Sequence, residues 1–136
     1  MNLDPFLERA KVQKVLFVED ELFTRKALFY VLENIFKEAQ CACDGIEAIE
    51  ILEEKGYNYF DIVITDLSMP RLGGLELIRN IKVFNPLQTT LIISASEDTG
   101  DFLQTIDTGV DAYLLKPIDS KSFISALDNI SQKAIL

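Results

Sequence analysis

Phe60-Asp61-Ile62-Val63-Ile64-Thr65-Asp66-Leu67-Ser68-Met69-Pro70 decides the fold. A short apolar, partly β-branched run stops at a carboxylate, and a proline shortly afterwards cannot donate to a sheet ladder, so a strand ends near Asp66. In an open parallel sheet the strand interiors are covered on both faces, and ligands bind where loops and helix N-termini converge at the carboxyl edge. An aspartate after a strand is also a common turn former or helix cap. The meaning of Asp66 therefore depends on what stands at the other strand ends.

Working outward, strand and helix patterns alternate five times. Residues 12–18 read as a strand ending in Glu19-Asp20-Glu21, and Leu28, Val31, Leu32 and Ile35 then recur at helical spacing. Residues 39–43 form a brief second strand, Asp44-Gly45 a turn, and Ala48, Ile49 and Leu52 a helix that Gly56 terminates. After Asp66, a helix over 75–84 follows Gly73-Gly74 and is closed by Asn85-Pro86, because a residue before proline avoids helical torsions. Strand four spans 90–94. Ser96 is placed to cap the next helix, with Glu97 and Asp98 in its first turn and Gly109 at its stop. Strand five spans 111–115, and Asp119 or Ser120 opens a last helix with Phe123, Leu127 and Ile130 inward. Residues 1–11 form an N-terminal extension with at most one helical turn. The alternation predicts an α/β fold, a three-layer α/β/α sandwich around a five-stranded parallel sheet with right-handed crossovers. In the flavodoxin-like order 2-1-3-4-5, strands one and three are neighbours at the topological switch point, so Glu19, Asp20 and Asp66 share one crevice.

Composition removes whole classes of function. The 136 residues suit one domain, and 49% hydrophobic content is enough for a packed core without disulfides or structural metal. There is no histidine, which excludes Ser-His-Asp and Cys-His catalysis, and two cysteines make an ordinary zinc site improbable. Cys41 and Cys43 lie on one face of a strand without a C-x-x-C pattern and read as free thiols. A net charge of -9 opposes binding to a phosphate backbone, so no direct contact with nucleic acid is expected. The N-terminus lacks a basic start and apolar stretch, and no apolar run approaches membrane-spanning length, so the expectation is a cytoplasmic protein without a membrane segment.

The strand ends form a candidate site. Three carboxylates packed together repel and raise each other's pKa, an arrangement that makes sense with a cation in the middle. Mg²⁺ takes oxygen ligands and is usually held by one or two carboxylates plus phosphate oxygens, which suits Asp20 and Asp66 as direct ligands and Glu19 partly through water. Lys116-Pro117 closes strand five, and the lysine can reach across the crevice to neutralise an anion. Ser94 ends strand four with a hydroxyl able to donate to a phosphoryl oxygen. Each residue alone has an ordinary role: a solvated acidic strand end, a solvated lysine, a serine satisfying nearby backbone. Their joint placement on one edge is what points to chemistry.

These residues resemble the receiver domains of two-component response regulators, from about residue 12 to residue 132. The resemblance implies that Glu19-Asp20 is the acidic pair, Asp66 the phosphoacceptor, Ser94 the switch hydroxyl and Lys116-Pro117 the lysine-proline, whose peptide bond is often cis in the family. It also implies that Ser68 supplies a backbone carbonyl to Mg²⁺ and that Tyr113 is the aromatic switch residue. The domain would then run over 12–136. The acidic pair is Glu-Asp rather than Asp-Asp, and Gly73-Gly74 stands where Asp-Gly is common. The implied partners are a sensor histidine kinase or histidine phosphotransfer protein as donor, and a downstream protein or effector domain at the face of the fourth βα helix, strand five and the last helix. On that fourth helix Asp101, Gln104, Thr105 and Asp107 offer no basic members for the charged dimer of the winged-helix branch. Such a domain catalyses its own phosphorylation and dephosphorylation. The alternatives are a phosphate-independent interaction module and an Asp-nucleophile phosphatase, whose second acid would fall at Ser68. A flavodoxin-type FMN site ranks last, because the acids after strand one repel the cofactor and no phosphate-cradling loop follows it.

Overall fold

The computed structural model describes residues 2–95 and 98–135. Five parallel strands, β1 (Lys14–Val18), β2 (Glu38–Ala42), β3 (Ile62–Asp66), β4 (Thr89–Ser94) and β5 (Ala112–Leu115), pair in the order β2-β1-β3-β4-β5. This is the predicted order. Helices α1 (Asp4–Ala10), α2 (Leu22–Ile35), α3 (Gly45–Lys55), α4 (Gly74–Phe84), α5 (Thr99–Asp107) and α6 (Ser120–Lys133) complete the chain. Side-chain alternation along the strands sorts the core into two halves. Val15, Phe17, Ile62, Ile64, Leu91 and Ile93 pack on one face with Leu32 of α2 and Phe123, Leu127 and Ile130 of α6. Leu16, Val18 and Val63 pack on the other with Ala48 and Leu52 of α3 and Leu77 and Ile81 of α4. The central strands are apolar on both sides because both sides are covered. Among the described residues, no helix is long and apolar enough to cross a membrane.

Several boundaries differ from the sequence reading. Val12 is 71% exposed and lies outside β1, because the Gln13 side chain donates instead to the Ser131 carbonyl at 2.9 Å and turns the chain toward α6. Asp111 likewise precedes β5: its carboxylate accepts from the Thr90 backbone N–H at 2.9 Å. Ser96 lies outside the described residues, and the side chain that caps α5 is Asp98, accepting from Asp101 N–H at 3.1 Å. Asp119 caps α6, as expected.

The N-terminal segment is more than the single turn expected. It forms α1, seven residues with Pro5 in its first turn, where a missing N–H costs nothing. Phe6 and Ala10 are buried with Leu127 and Ile130, and the Phe6 ring meets Phe36 edge to face at 6.2 Å between centroids. Arg9 pairs with Asp128 and donates to Ser131 Oγ at 3.1 Å. The helix therefore seals one end of the α2/α6 face. Phe6→Ala should cost about 3–5 kcal/mol, the range for a fully buried phenylalanine, as read by urea unfolding. A loss below about 1 kcal/mol would mean that α1 does not unfold with the core.

Candidate functional site

Parallel pairing places the ends of β1, β3, β4 and β5 side by side. Val18 pairs with Thr65, Asp66 with Ile93, and Ser94 with Leu115, so the residues that follow each strand meet at one edge. Glu19 is completely buried and Asp66 only 6% exposed, whereas Asp20 faces solvent. One carboxylate oxygen of each lies within 4.8 Å of the others. Lys116 closes the group: its Nζ donates to Glu19 Oε1 and to Asp66 Oδ2, each at 3.0 Å. The lysine is held in place by its own backbone, since Lys116 N–H donates to the Ser94 carbonyl at 2.7 Å and the peptide to Pro117 is cis.

The electrostatics follow from burial. Removal from water, countered in part by the Glu21 N–H and the Lys116 ammonium, pushes the Glu19 carboxyl up from 4.5 to about 7. For Lys116, burial works against the charged form, but the hydrogen bonds to Asp66 and Glu19 outweigh it and hold the ammonium above its usual value. Lys116 thus pairs with two of the three clustered acids, Glu19 and Asp66. The donor set is all oxygen and retains negative charge, which fits a hard divalent ion such as Mg²⁺ and not a soft one.

Ser94 is 1% exposed and lines a cleft with Asp66, Ser68 and Lys116, joined by Gly73, Arg79 and Gln104. Ser68 is exposed on the lip of that cleft. Tyr113 stands apart from the carboxylates: it is half-buried, its ring edge to face with Phe102 of α5 at 5.2 Å. The structure therefore brings Glu19, Asp20, Asp66, Lys116, Ser94 and Ser68 to one edge and leaves Tyr113 on the flank.

Sequence reasoning missed three supports. Arg25, one turn into α2, donates to the backbone carbonyls of Glu19 at 2.9 Å and Asp20 at 3.2 Å, holding the acidic pair from behind. Gly74 is required by close approach, because a Cβ there would sit 2.2 Å from the Asp66 carbonyl oxygen. Asp44, read as a turn residue, caps α3 and accepts both Nε and a terminal nitrogen of Arg71 at 2.7 and 3.1 Å. Neither Arg25 on α2 nor Arg71 in its loop carries a periodic signal, but Gly73-Gly74 ahead of an amphipathic helix was a readable sign of close packing.

Known proteins are similar to this chain in sequence and fold. The profile described as response regulator receiver domain matches residues 15–128. The Regulator of RpoS from Escherichia coli strain K12 is 34% identical over 106 residues, which cover 78% of this chain and 31% of that protein. The chain thus spans about a third of that relative. Chemotaxis protein CheY-3 from Vibrio cholerae is 29% identical over 126 residues, covering 90% of this chain and 95% of its own length. A crystal structure of a response regulator receiver domain protein from Clostridium thermocellum superposes with a TM-score of 0.81 at 28% identity, covering 90% of this chain and 96% of that one.

The buried acid makes a pH prediction. Because the folded-state value of Glu19 lies above its ordinary one, the folded protein binds more protons than the unfolded chain between 4.5 and about 7, and this residue's contribution to stability falls as pH rises through that window. In metal-free protein, carbon-13 NMR should place the Glu19 carboxyl midpoint near 7, and Lys116→Met should move it higher by removing the stabilising ammonium. A midpoint at the ordinary glutamate value would contradict the arrangement.

Proposed function

The chain belongs to the response regulator receiver domain family, and from that premise we propose that it takes a phosphoryl group from a phosphohistidine onto Asp66. The donor is a sensor histidine kinase or a histidine phosphotransfer protein. One observation carries the reading: Lys116 joins Asp66 to Glu19 at a sheet edge where Asp20 lies within reach of both. A structural ion pair would need neither the third acid nor the adjoining cleft.

Chemically, an Asp66 carboxylate oxygen attacks phosphorus in line with the P–N bond. The P–O bond forms as the P–N bond breaks, and the electron pair leaves on the imidazole nitrogen. Lys116 already points its ammonium at Asp66 and remains to neutralise charge on the transferring group. Glu19, Asp20 and Asp66, with the Ser68 backbone carbonyl, would hold Mg²⁺, which when bound supplies further charge neutralisation to the phosphoryl oxygens. Ser94 ends its strand beside this point and donates to the new oxygens. Later, water attacks phosphorus, the P–O bond to Asp66 breaks, and inorganic phosphate leaves as the carboxylate returns. A phosphatase of the Asp-nucleophile type is disfavoured because Ser68 provides no general acid or base.

The output follows from the same geometry. Movement of Ser94 toward the phosphoryl group opens space next to β5, into which Tyr113 turns from its contact with Phe102. That shift alters a surface on α5, β5 and α6 where Phe102, Leu103, Ile106 and Leu115 are exposed. The surface is apolar and lacks basic residues on α5, which favours a protein partner over an ionic dimer contact.

Incubation with acetyl phosphate and Mg²⁺ should add one phosphoryl group to the intact protein, none to Asp66→Asn, and should run about 100-fold slower in Lys116→Met. Modification of the asparagine variant at the wild-type rate would remove Asp66 from the mechanism. For the switch, a beryllofluoride adduct should shift amide resonances of Ser94, Tyr113 and α5 as well as those of the acidic loops. Changes confined to the acidic loops would leave the phosphate-independent interaction module as the better reading of that surface.

A further inference from the structure

Two loops carry the site, and they are held differently. The acidic pair is backed by Arg25. The loop after β3, residues 67–73, is tied at its base: Leu67 N–H donates to the Ile93 carbonyl and Gly74 N–H to the Leu67 carbonyl, both at 2.9 Å. Its crest, where Ser68 and Pro70 are exposed, is gripped from α3. Arg71 adopts φ +68, a left-handed conformation that costs a side chain with a Cβ, and this turn directs its guanidinium back to Asp44. The contact is a two-point fork on one carboxylate, the geometry that fixes orientation as well as distance.

Asp44 is already immobile when the fork reaches it. Its side chain is 8% exposed, and its Oδ1 accepts the Glu47 N–H at 2.9 Å as the cap of α3. Arg71 and the cap together hold the Asp44 carboxyl below its ordinary value, so the pair stays charged across the neutral range. Leu72, next in the chain, sits on Gly45, where an added Cβ would lie 2.6 Å from the Leu72 carbonyl oxygen. A strained arginine, a capping acid and a glycine therefore converge on one contact between this loop and α3. None of the three touches the acidic cluster.

We propose that the Arg71–Asp44 fork is a positioning latch for phosphotransfer, holding the loop that carries Ser68 against α3 and through it setting the affinity for Mg²⁺. The inference rests on the phosphoacceptor reading above. Arg71 is more than half exposed and belongs to neither core cluster. Strain retained at such a position points to local order.

The test uses the full chain and four variants: Arg71→Gln, Arg71→Lys, Asp44→Asn, which keeps a capping oxygen, and Arg71→Gly, which relieves the left-handed strain while removing the fork. Mg²⁺ affinity is read by NMR titration and loop order by amide hydrogen exchange. Arg71→Gln and Asp44→Asn should each weaken Mg²⁺ binding about fivefold, the double variant should be no worse than either single one, and Arg71→Lys should fall between. Exchange at Gly74 should quicken about tenfold while Val63 in the core is unchanged. Phosphorylation by acetyl phosphate should slow at low Mg²⁺ and recover at saturating Mg²⁺. Arg71→Gly should match Arg71→Gln in affinity, because the fork and not the strain does the positioning. Wild-type Mg²⁺ affinity and Gly74 exchange in Arg71→Gln, or additive losses in the double variant, would overturn the latch while leaving the phosphoacceptor reading intact. A wild-type chain that takes neither Mg²⁺ nor phosphate would overturn both.

Discussion

Lys116 standing between two buried carboxylates is the constraint on which the rest of the site depends. Glu19 and Asp66 are withdrawn from water almost completely, and two carboxylates in that position repel unless a cation stands between them. The lysine that separates them comes from a strand end 97 residues from one acid and 50 from the other. Only a fold that aligns β1, β3 and β5 in parallel, with β4 supplying the carbonyl that fixes the lysine's backbone, brings these groups together. The two-layered core around the strands holds that alignment. The charge clustering at its edge is tolerated because the central strands β3 and β4 beneath it are buried throughout.

Much of this was legible in the residues because the signals were periodic or punctual. A β-branched run that stops at Asp66, Lys116 directly before Pro117, and acids directly after Val18 mark strand ends without reference to anything distant. The strand order followed once five βα units were counted. What escaped was structure made by single contacts. The helix α1 buries only Phe6 and Ala10, too few to set a period, and Pro5 within it reads as a break. Val12 is apolar and continuous with Val15 in sequence, yet Gln13 draws the chain away to Ser131.

The same limit applies to the site. Asp44 before Gly45 has the composition of a turn, and its second role is visible only when Arg71, distant in sequence, arrives from a left-handed turn. Arg25 is one of several charged residues on α2, and nothing in its spacing distinguishes it from a solvated neighbour. The candidate site residues were readable because the proposed chemistry restricts residue type. Residues that position them act through backbone carbonyls and forked ion pairs, which many sequences can supply.

In this account the molecule divides by height along the strands. Charge and oxygen donors gather at the carboxyl edge, and the apolar surface of α5 and β5 lies on its flank, where the Tyr113 ring meets Phe102. Its central claim is that, of the acids drawn together by Lys116, Asp66 alone receives the phosphoryl group. Borohydride reduction of the phosphorylated chain converts an acyl phosphate to the corresponding alcohol, and peptide sequencing by mass spectrometry then locates it. The expected result is reduction at position 66 alone; reduction at Glu19, Asp20 or any other acid in place of Asp66 would contradict the account.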